Sequence, residues 1–379
     1  MANSTPGFFS NLFSGSKLAL FKKENSSVVG VDIGSSSIKA VQLKKEHGKA
    51  ILETYGEIAL GPYAGLEIGQ ATNLPAMKIV EALKDLFREA NITTNRAAFA
   101  IPLKASMITL IDVPIQSEKI LDQVVPIEAR KYIPVPISEV ALDWWAIPPR
   151  ETDEPGMMTE KKSKPKSVEI LLAAIHNTTI SLYQQIMKEA KLESSVFEVE
   201  TFSAVRSVFT HSPAPQAIID FGAASTKVYI VDMGIVRISQ LIGRGAQEMT
   251  MAISKSTSLP FAKAEELKRR VGVSGRGDEN FSTVVNPILE YIFYEISRII
   301  AGFHKREGRV VSQMYMTGNG ALLRGLSDIA SSQFDNQLVP ANPFAKVQAP
   351  AFLDPVLADA GPSFAVAIGA ALKDLHNIN

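Results

Sequence analysis

The chain has no cysteine among its 379 residues. That excludes a disulfide framework and every thiolate metal site. It also has no surplus of charge: 39 Lys and Arg stand against 39 Asp and Glu, for a formal net charge of zero. Nucleic-acid binders carry a basic excess, so no nucleic-acid partner is expected. No apolar run approaches the ~20 residues that cross a bilayer as a helix. The N-terminus lacks a basic segment followed by a continuous apolar stretch, the pattern of a secretory signal. Histidines are few, only five, and show no metal-ligand spacing. His176 and His304 are expected at a core edge and a helix end. Hydrophobic residues are plentiful at 46%. That suffices for a full core in two domains or one large two-lobed one.

The most informative stretch is a turn between two short apolar runs. Val28 to Ile33 is expected as a buried strand and Ile38 to Leu43 as its hairpin partner. Between them lie Gly34, Ser35, Ser36 and Ser37. Such a turn gathers backbone N–H groups, hydroxyls and Asp32 at one strand end. Gly34 has no Cβ, so a bulky anion can approach the main chain. Successive N–H groups there form an anion-binding concavity. Asp32 would repel that anion. It makes sense beside a divalent cation, which for Mg²⁺ is usually held through water. Taken alone, the pattern also fits a plain turn, because Asp and Gly are ordinary turn residues.

The layout occurs twice. Gln216 to Val231 repeats it, with Asp220 for Asp32, Gly222 for Gly34, Ser225 for Ser37 and Lys227 for Lys39, each 188 positions later. Repeats dictate architecture. Two such hairpins face to face would clamp a polyphosphate and its metal. Asp32 and Asp220 would hold hydrated Mg²⁺. Ser35 to Ser37 on one side, and Ala223, Ala224, Ser225 and Thr226 on the other, would grip phosphates. Lys39 would add a point charge. A third stretch, Met314 to Leu326, predicts a strand, a turn at Gly318, Asn319 and Gly320, and then a helix start. Bare N–H groups at a helix start favour phosphate or a nucleoside's acceptors. A plain strand-to-helix turn is the alternative.

These three stretches, in this order, resemble the actin-like ATPase superfamily: two phosphate hairpins and an adenosine loop on duplicated halves. Within it the chain is similar to the PilM family of type IV pilus assembly proteins, from about Ser27 to the C-terminus. The likeness is carried by Glu128 to Pro136, by Leu259-Pro260-Phe261 leading into Ala264 to Arg269, by Ala341 to Phe344 and by Ser363 to Leu372. The resemblance implies an α/β fold of two duplicated lobes around a nucleotide cleft, with ATP and Mg²⁺ as cofactors. It implies a first lobe of residues 27–95 and 194–213, with an inserted small subdomain at 96–193 of the kind shared with the cell-division protein FtsA. The second lobe would hold 214–245 and 310–379, with a helical subdomain at 246–309. Glu265 and Lys268 would line the adenine and ribose side; a solvated charged face is the other reading. Glu200, near the strand end of the connecting segment Ser195 to Arg206, stands where a water-orienting catalytic residue could sit. A capping or salt-bridging role is the alternative.

Other expectations follow along the chain. Residues 1–26 form a flexible tail or, with Phe8, Leu12 and Phe13 at helical spacing, an amphipathic segment that touches membrane or a partner. Ser117 to Ile133 is expected as a helix capped by Ser117, kinked by Pro126 and ended by Pro134 and Pro136. Trp144 and Trp145 fall on a strand and so point to opposite faces; one is either an interface candidate or the rim of a core. Arg150 to Ser167 is charged and lacks apolar periodicity, as a mobile loop does. Asn286-Pro287 looks like a helix start, with Leu289, Ile292, Phe293, Ile296, Ile300 and Phe303 inward.

By its resemblance the chain is a cytoplasmic adaptor, peripheral to the inner membrane. It would bind ATP, dock the cytoplasmic N-terminal tail of PilN, and couple it to the pilus motor ATPases of twitching motility, with slow hydrolysis at most. A filament-forming protein like FtsA, which self-associates, is the alternative. Against it, no C-terminal membrane helix of the FtsA kind is evident before Asn379. A small-molecule kinase of the same fold is a third reading, for which no dedicated Asp motif is found. Fold alone does not decide between them.

Overall fold

The first hairpin forms as its pattern predicts. β1 (Ser27–Ile33) is buried from Ser27 to Val31, so nearly every side chain, whichever face it takes, lies in the interior. It pairs antiparallel with β2 (Ser37–Glu46), with Asp32 opposite Lys39 and Ile33 opposite Ile38. β3 (Lys49–Ala59) extends the sheet from β2 past a bulge at Gln42/Leu43. The computed structural model describes residues 26–114, 121–148, 167–273, 279–334, 336 and 338–378. The N-terminal segment with Phe8, Leu12 and Phe13, the Ser117 cap and residues 150–166 of the expected loop lie outside the described residues.

α1 (Ala76–Glu89) buries Ile79, Val80, Leu83 and Leu86, one stripe at helical spacing, against the sheet. β4 (Arg96–Ile101) then runs parallel to β1. A separate three-stranded sheet follows. It contains β5 (Ser106–Pro114), then α2 (Leu121–Ala129), β6 (Val140–Ala146) and β7 (Ser167–His176), with β7 in the middle. Both tryptophans of β6 are half-buried: Trp145 packs on the main core and Trp144 on the small core of the inserted sheet. Opposite faces are therefore used, but neither Trp is free. The chain returns through α3 (Asn177–Ala190) to β8 (Glu193–Val199), parallel to β4, and continues into α4 (Glu200–Val208).

The second half repeats the first. β9 (Gln216–Phe221), β10 (Thr226–Asp232) and β11 (Ile235–Ile242) form the antiparallel part. α5 (Ala246–Thr257), α6 (Phe261–Val271) and α7 (Glu279–Glu307) intervene. β12 (Gln313–Thr317), α8 (Leu326–Gln333) and β13 (Leu338–Pro340) complete it. The two sheets run β3-β2-β1-β4-β8 and β11-β10-β9-β12-β13. Strand for strand this is one topology, so the repeat in the sequence is a repeat of the fold.

α9 (Asp354–Ala360) and α10 (Ala365–His376) close the chain. α10 is buried nearly all round and packs on β1, β2, β4 and α4. The approach is so close that a Cβ on Gly369 would overlap the Ser203 carbonyl. Arg96 ties its end to the first sheet, donating from Nε and Nη2 to Asp374 at 2.8 and 2.7 Å. Residues 351–376 are also long and apolar enough to cross a membrane, more than the sequence suggested, but 72% of their apolar window is buried inside the protein. Their hydrophobicity serves the core.

Three expectations need correction. The boundary at 96 falls too early: β4 is an inner strand of the first sheet, because Ala97 to Ile101 are all buried and pair with β1 and β8. α3 likewise packs on α1 and β8, and α10 belongs with the first sheet rather than the second lobe. α7 is already helical at Glu279, ahead of Asn286, and carries Pro287 inside it. The proline gives up one backbone hydrogen bond, but buried Val285 extends the inward stripe of Leu289, Ile292 and Ile296 across it. Burial of that face outweighs the local stop signal.

Candidate functional site

Both hairpin turns open onto one cleft. Gly34 N–H donates to the Ser37 carbonyl at 3.0 Å, and Gly222 N–H to the Ser225 carbonyl at 3.0 Å. The two turns thus share one backbone geometry. Asp32, Gly34, Ser35, Ser36, Ser37 and Lys39 line the cleft from the first lobe. Asp220, Gly222, Ala223, Ala224, Ser225 and Lys227 line it from the second. Gly318 and Asn319 complete it, with Thr317 and Ser363 beside them. At its side lies a wider cavity of about 450 Å³. Ser36, Ser37, Ala223 and Asn319 belong to both walls, so the two spaces adjoin; Glu265, Lys268 and Gly320 line the wider one. That volume falls within the range of small-molecule and cofactor pockets, about 300–1,000 Å³.

The third stretch turns rather than starting an α-helix. Asn319 to Leu322 is one 3-10 turn, and α8 begins only at Leu326. Gly318 has φ +83° and ψ 166°, which side chains rarely adopt. A Cβ there would lie 2.5 Å from Asp220 Oδ1. The Thr317 hydroxyl and Asn319 Oδ1 are buried at the cleft and have no hydrogen-bond partner among the described residues. Buried polar groups are rarely left so, and each such atom calls for a ligand or water.

The electrostatics centre on Lys227. Its Nζ lies 2.8 Å from Asp220 Oδ2 and 2.8 Å from Glu200 Oε2. Burial works against its charge, but Asp220 and Glu200 more than offset that, and its pKa is raised well above the ordinary lysine value. Burial raises the Glu200 carboxyl, against the pull of Lys227. Burial likewise raises Asp32, against Lys39 and Lys227. A cation beside Asp32 would relieve that cost. No group of three or more metal-ligating side chains exists among the described residues. Mg²⁺ needs none: one or two carboxylates suffice when phosphate oxygens and water complete its shell. Asp32 and Asp220 on one cleft fit such a hydrated ion.

Two predicted residues stand elsewhere. Thr226 is fully buried, and its hydroxyl donates to the Arg244 carbonyl at 2.9 Å, so it does not line the cleft. Its repeat partner by the 188-residue offset is Ile38, a core residue; the repeat itself carried that warning. Glu200 does not line the cleft either. Its Oε1 accepts the Leu103 N–H at 2.6 Å and its Oε2 the Lys227 ammonium. This is the salt-bridging alternative. Glu265 and Lys268 do meet, at 2.7 Å. Burial lowers Lys268. Burial would raise Glu265, but the Lys268 charge and its hydrogen bonds hold it below the usual carboxylate range.

Three residues were not foreseen. Lys227 was signalled by its match to Lys39. Thr317 had no signal beyond its place before Gly318. Glu57 had none, yet its Oε1 lies 3.6 Å from Lys39 Nζ and accepts from Asn319 Nδ2 at 2.8 Å.

Known proteins share this fold. The structure of a PilM–PilN type IV pilus biogenesis complex matches with a TM-score of 0.76 and 25% identity, over 92% of this chain and 98% of that one. The ethanolamine utilization protein EutJ of Carboxydothermus hydrogenoformans matches with a TM-score of 0.53 and 15% identity, over 91% of this chain and 89% of that one. MreB5 of Spiroplasma citri bound to AMPPNP matches with a TM-score of 0.51 and 13% identity, over 93% of this chain and 99% of that one. These last two establish the fold alone, that of the actin-like ATPases. The model of the family described as type IV pilus assembly protein PilM matches residues 30–375. Two hairpins, a glycine turn and an inserted three-stranded sheet on duplicated lobes therefore have a family: the chain belongs to the PilM proteins of type IV pilus assembly.

Proposed function

We propose that the chain is a cytoplasmic, ATP-binding adaptor that docks the cytoplasmic N-terminal tail of PilN and so joins the inner-membrane pilus complex to its motor ATPases. The carrying observation is convergence: three glycine-containing stretches, far apart in sequence, line one cleft with a Thr317 hydroxyl and an Asn319 side-chain Oδ1 that have no partner among the described residues. In this reading Ser35 to Ser37 and Ala223 to Ser225 present N–H groups and hydroxyls to phosphates, and Lys39 adds charge. Asp32 and Asp220 hold hydrated Mg²⁺, whose chemistry is to neutralise phosphate charge. Gly318, Asn319 and Gly320 back the nucleoside, with Glu265 and Lys268 at its side. The ligand touches both lobes, so it favours the closed arrangement in proportion to contacts made only there. Hydrolysis is slow at most, since both Glu200 oxygens are already engaged. The partner reading draws on the solved PilM–PilN complex, similar over 92% of this chain.

The test is calorimetric titration of the Mg-ATP-loaded protein with a synthetic PilN N-terminal tail from the same organism. Saturable one-to-one binding is expected. No heat from a folded, loaded protein would overturn the adaptor reading and shift weight to a self-associating, filament-forming one.

A further inference from the structure

Glu57 stands opposite Lys39 in the β2–β3 register. An opposite-charge pair at that position is ordinary sheet stabilisation. The pair does not explain the other partners. Asn319, from the second lobe, donates to the same Oε1 at 2.8 Å. Ser37 belongs to the same cluster: its hydroxyl accepts from Lys39 Nζ at 3.3 Å, and it favours the charged Glu57 carboxylate. These three partners of Glu57 all come from the stretches assigned to ligand phosphate and nucleoside. The carboxyl responds accordingly. Burial would raise it, but the Lys39 charge, the Ser37 hydroxyl and the Asn319 hydrogen bond bring it below its usual range. Its side chain, 33% exposed, lines the wider cavity with Ser36, Ser37 and Asn319, which also wall the phosphate cleft.

We propose that Glu57 is an internal counter-anion of this cleft, a specificity-determining residue that competes with ligand phosphate for Lys39, Ser37 and Asn319. The proposal rests on the reading of the cleft as a nucleotide site. A carboxylate and a phosphate want the same donors and repel each other when both are close. Glu57 therefore weakens phosphate-bearing ligands relative to a bare nucleoside. Its bond to Asn319 also ties the lobes, so a ligand that takes over Lys39 and Asn319 must break that tie. A contact from Glu57 to ribose hydroxyls would act in the opposite direction and strengthen every nucleoside alike.

The experiment is calorimetric titration of the full chain and its E57Q and E57D variants with Mg-ATP and with adenosine. E57Q keeps an acceptor for Asn319 and removes the charge. It is expected to bind Mg-ATP about tenfold more tightly than the wild type, or about 1.4 kcal/mol. Adenosine affinity is expected to change little. E57D keeps the charge and is expected to stay near the wild type. If E57Q binds Mg-ATP no tighter than a wild type that does bind it, the proposal is wrong. If E57Q loses affinity for both ligands, Glu57 contacts the nucleoside and the proposal is wrong. If the folded wild type binds neither ligand, the nucleotide reading itself fails and takes this inference with it.

Discussion

Lys227→Met removes the cation that two buried acids, Asp220 and Glu200, share and keeps most of the side-chain volume. Lys227 Nζ serves Asp220 and Glu200 at 2.8 Å each, and the two carboxylate side chains are only 8% and 5% exposed. Removing one partner of a buried ion pair costs about 3–5 kcal/mol, because the other charge is left uncompensated. Here two carboxylates lose the same partner, so about 3 kcal/mol at pH 7 is the lower bound. Against a typical stability of about 5–15 kcal/mol, that loss is easily measured.

The pH dependence carries a sign. Burial already raises the Glu200 carboxyl while Lys227 opposes it; without Lys227 it rises further. An acid with a folded-state pKa above its unfolded value, about 4.3 for Glu, destabilises the fold increasingly as pH climbs between the two. The deficit of the variant is therefore smallest near pH 5 and grows toward pH 8. The limiting slope is about 1.4 kcal/mol per pH unit for each group concerned. The neighbouring Tyr183 and Tyr229 hydroxyls are pushed upward by burial and stay neutral throughout that range. In the wild type the Lys227 contribution is present below the ordinary lysine value and is lost only as pH rises through its raised one, so it is constant from pH 5 to 8. Guanidinium unfolding of both proteins at pH 5, 6, 7 and 8 reads the difference. A deficit under about 3 kcal/mol at pH 7, or one equal at all four pH values, would refute this account of the ion cluster.

Asp32→Asn separates ligand binding from stability. Burial holds the Asp32 carboxyl above its usual range, so ionising it near neutral pH costs stability, and the variant alone is expected to melt no lower than the wild type. Its Mg-ATP affinity is expected to fall about 10–100-fold, as when a carboxylate near a metal is lost; intact affinity and an intact thermal shift with Mg-ATP would sink the assignment. Gly318→Ala forces a side chain into a glycine-only conformation, 2.5 Å from Asp220 Oδ1 and 2.7 Å from the Phe221 carbonyl. It is expected to lose about 1–3 kcal/mol in denaturant titrations, together with nucleotide affinity. Gly302→Ala, in open space on α7, is the control and should gain about 0.5–1 kcal/mol; equal effects at the two glycines would contradict the strain argument.

The hairpins were legible because their constraints are local. Asp32, Gly34 and Lys39 sit within eight residues, and the same spacing at Asp220, Gly222 and Lys227 shows that it is not an accident of composition. Where the reading failed, a longer-range force decided. Pro287 is a strong local start signal, yet the stripe from Val285 to Ile296 is buried and keeps the helix running through it. Thr226 looked like the fourth residue of the turn, but its register opposite Phe221 puts it inside the sheet. α10 was placed by chain order with the lobe it follows, whereas its nearly continuous apolar surface packs on β1 near the start of the sequence and on α4 in its middle.

Glu57 marks the limit of such reasoning. Its pairing with Lys39 can be guessed once β2 and β3 are aligned, since opposite charges across a ladder attract. Its bond to Asn319 spans 262 positions and joins the two lobes. No periodicity, cap or turn signal refers to a contact of that kind, because it exists only after each lobe has folded and the two have met. The same holds for Lys227 and Glu200, which come from opposite lobes. The hairpins fix which donors the cleft owns. If the cleft takes a nucleotide, as proposed, the contacts between lobes decide which of those donors an incoming phosphate must win, and that competition is what the Glu57 variants measure.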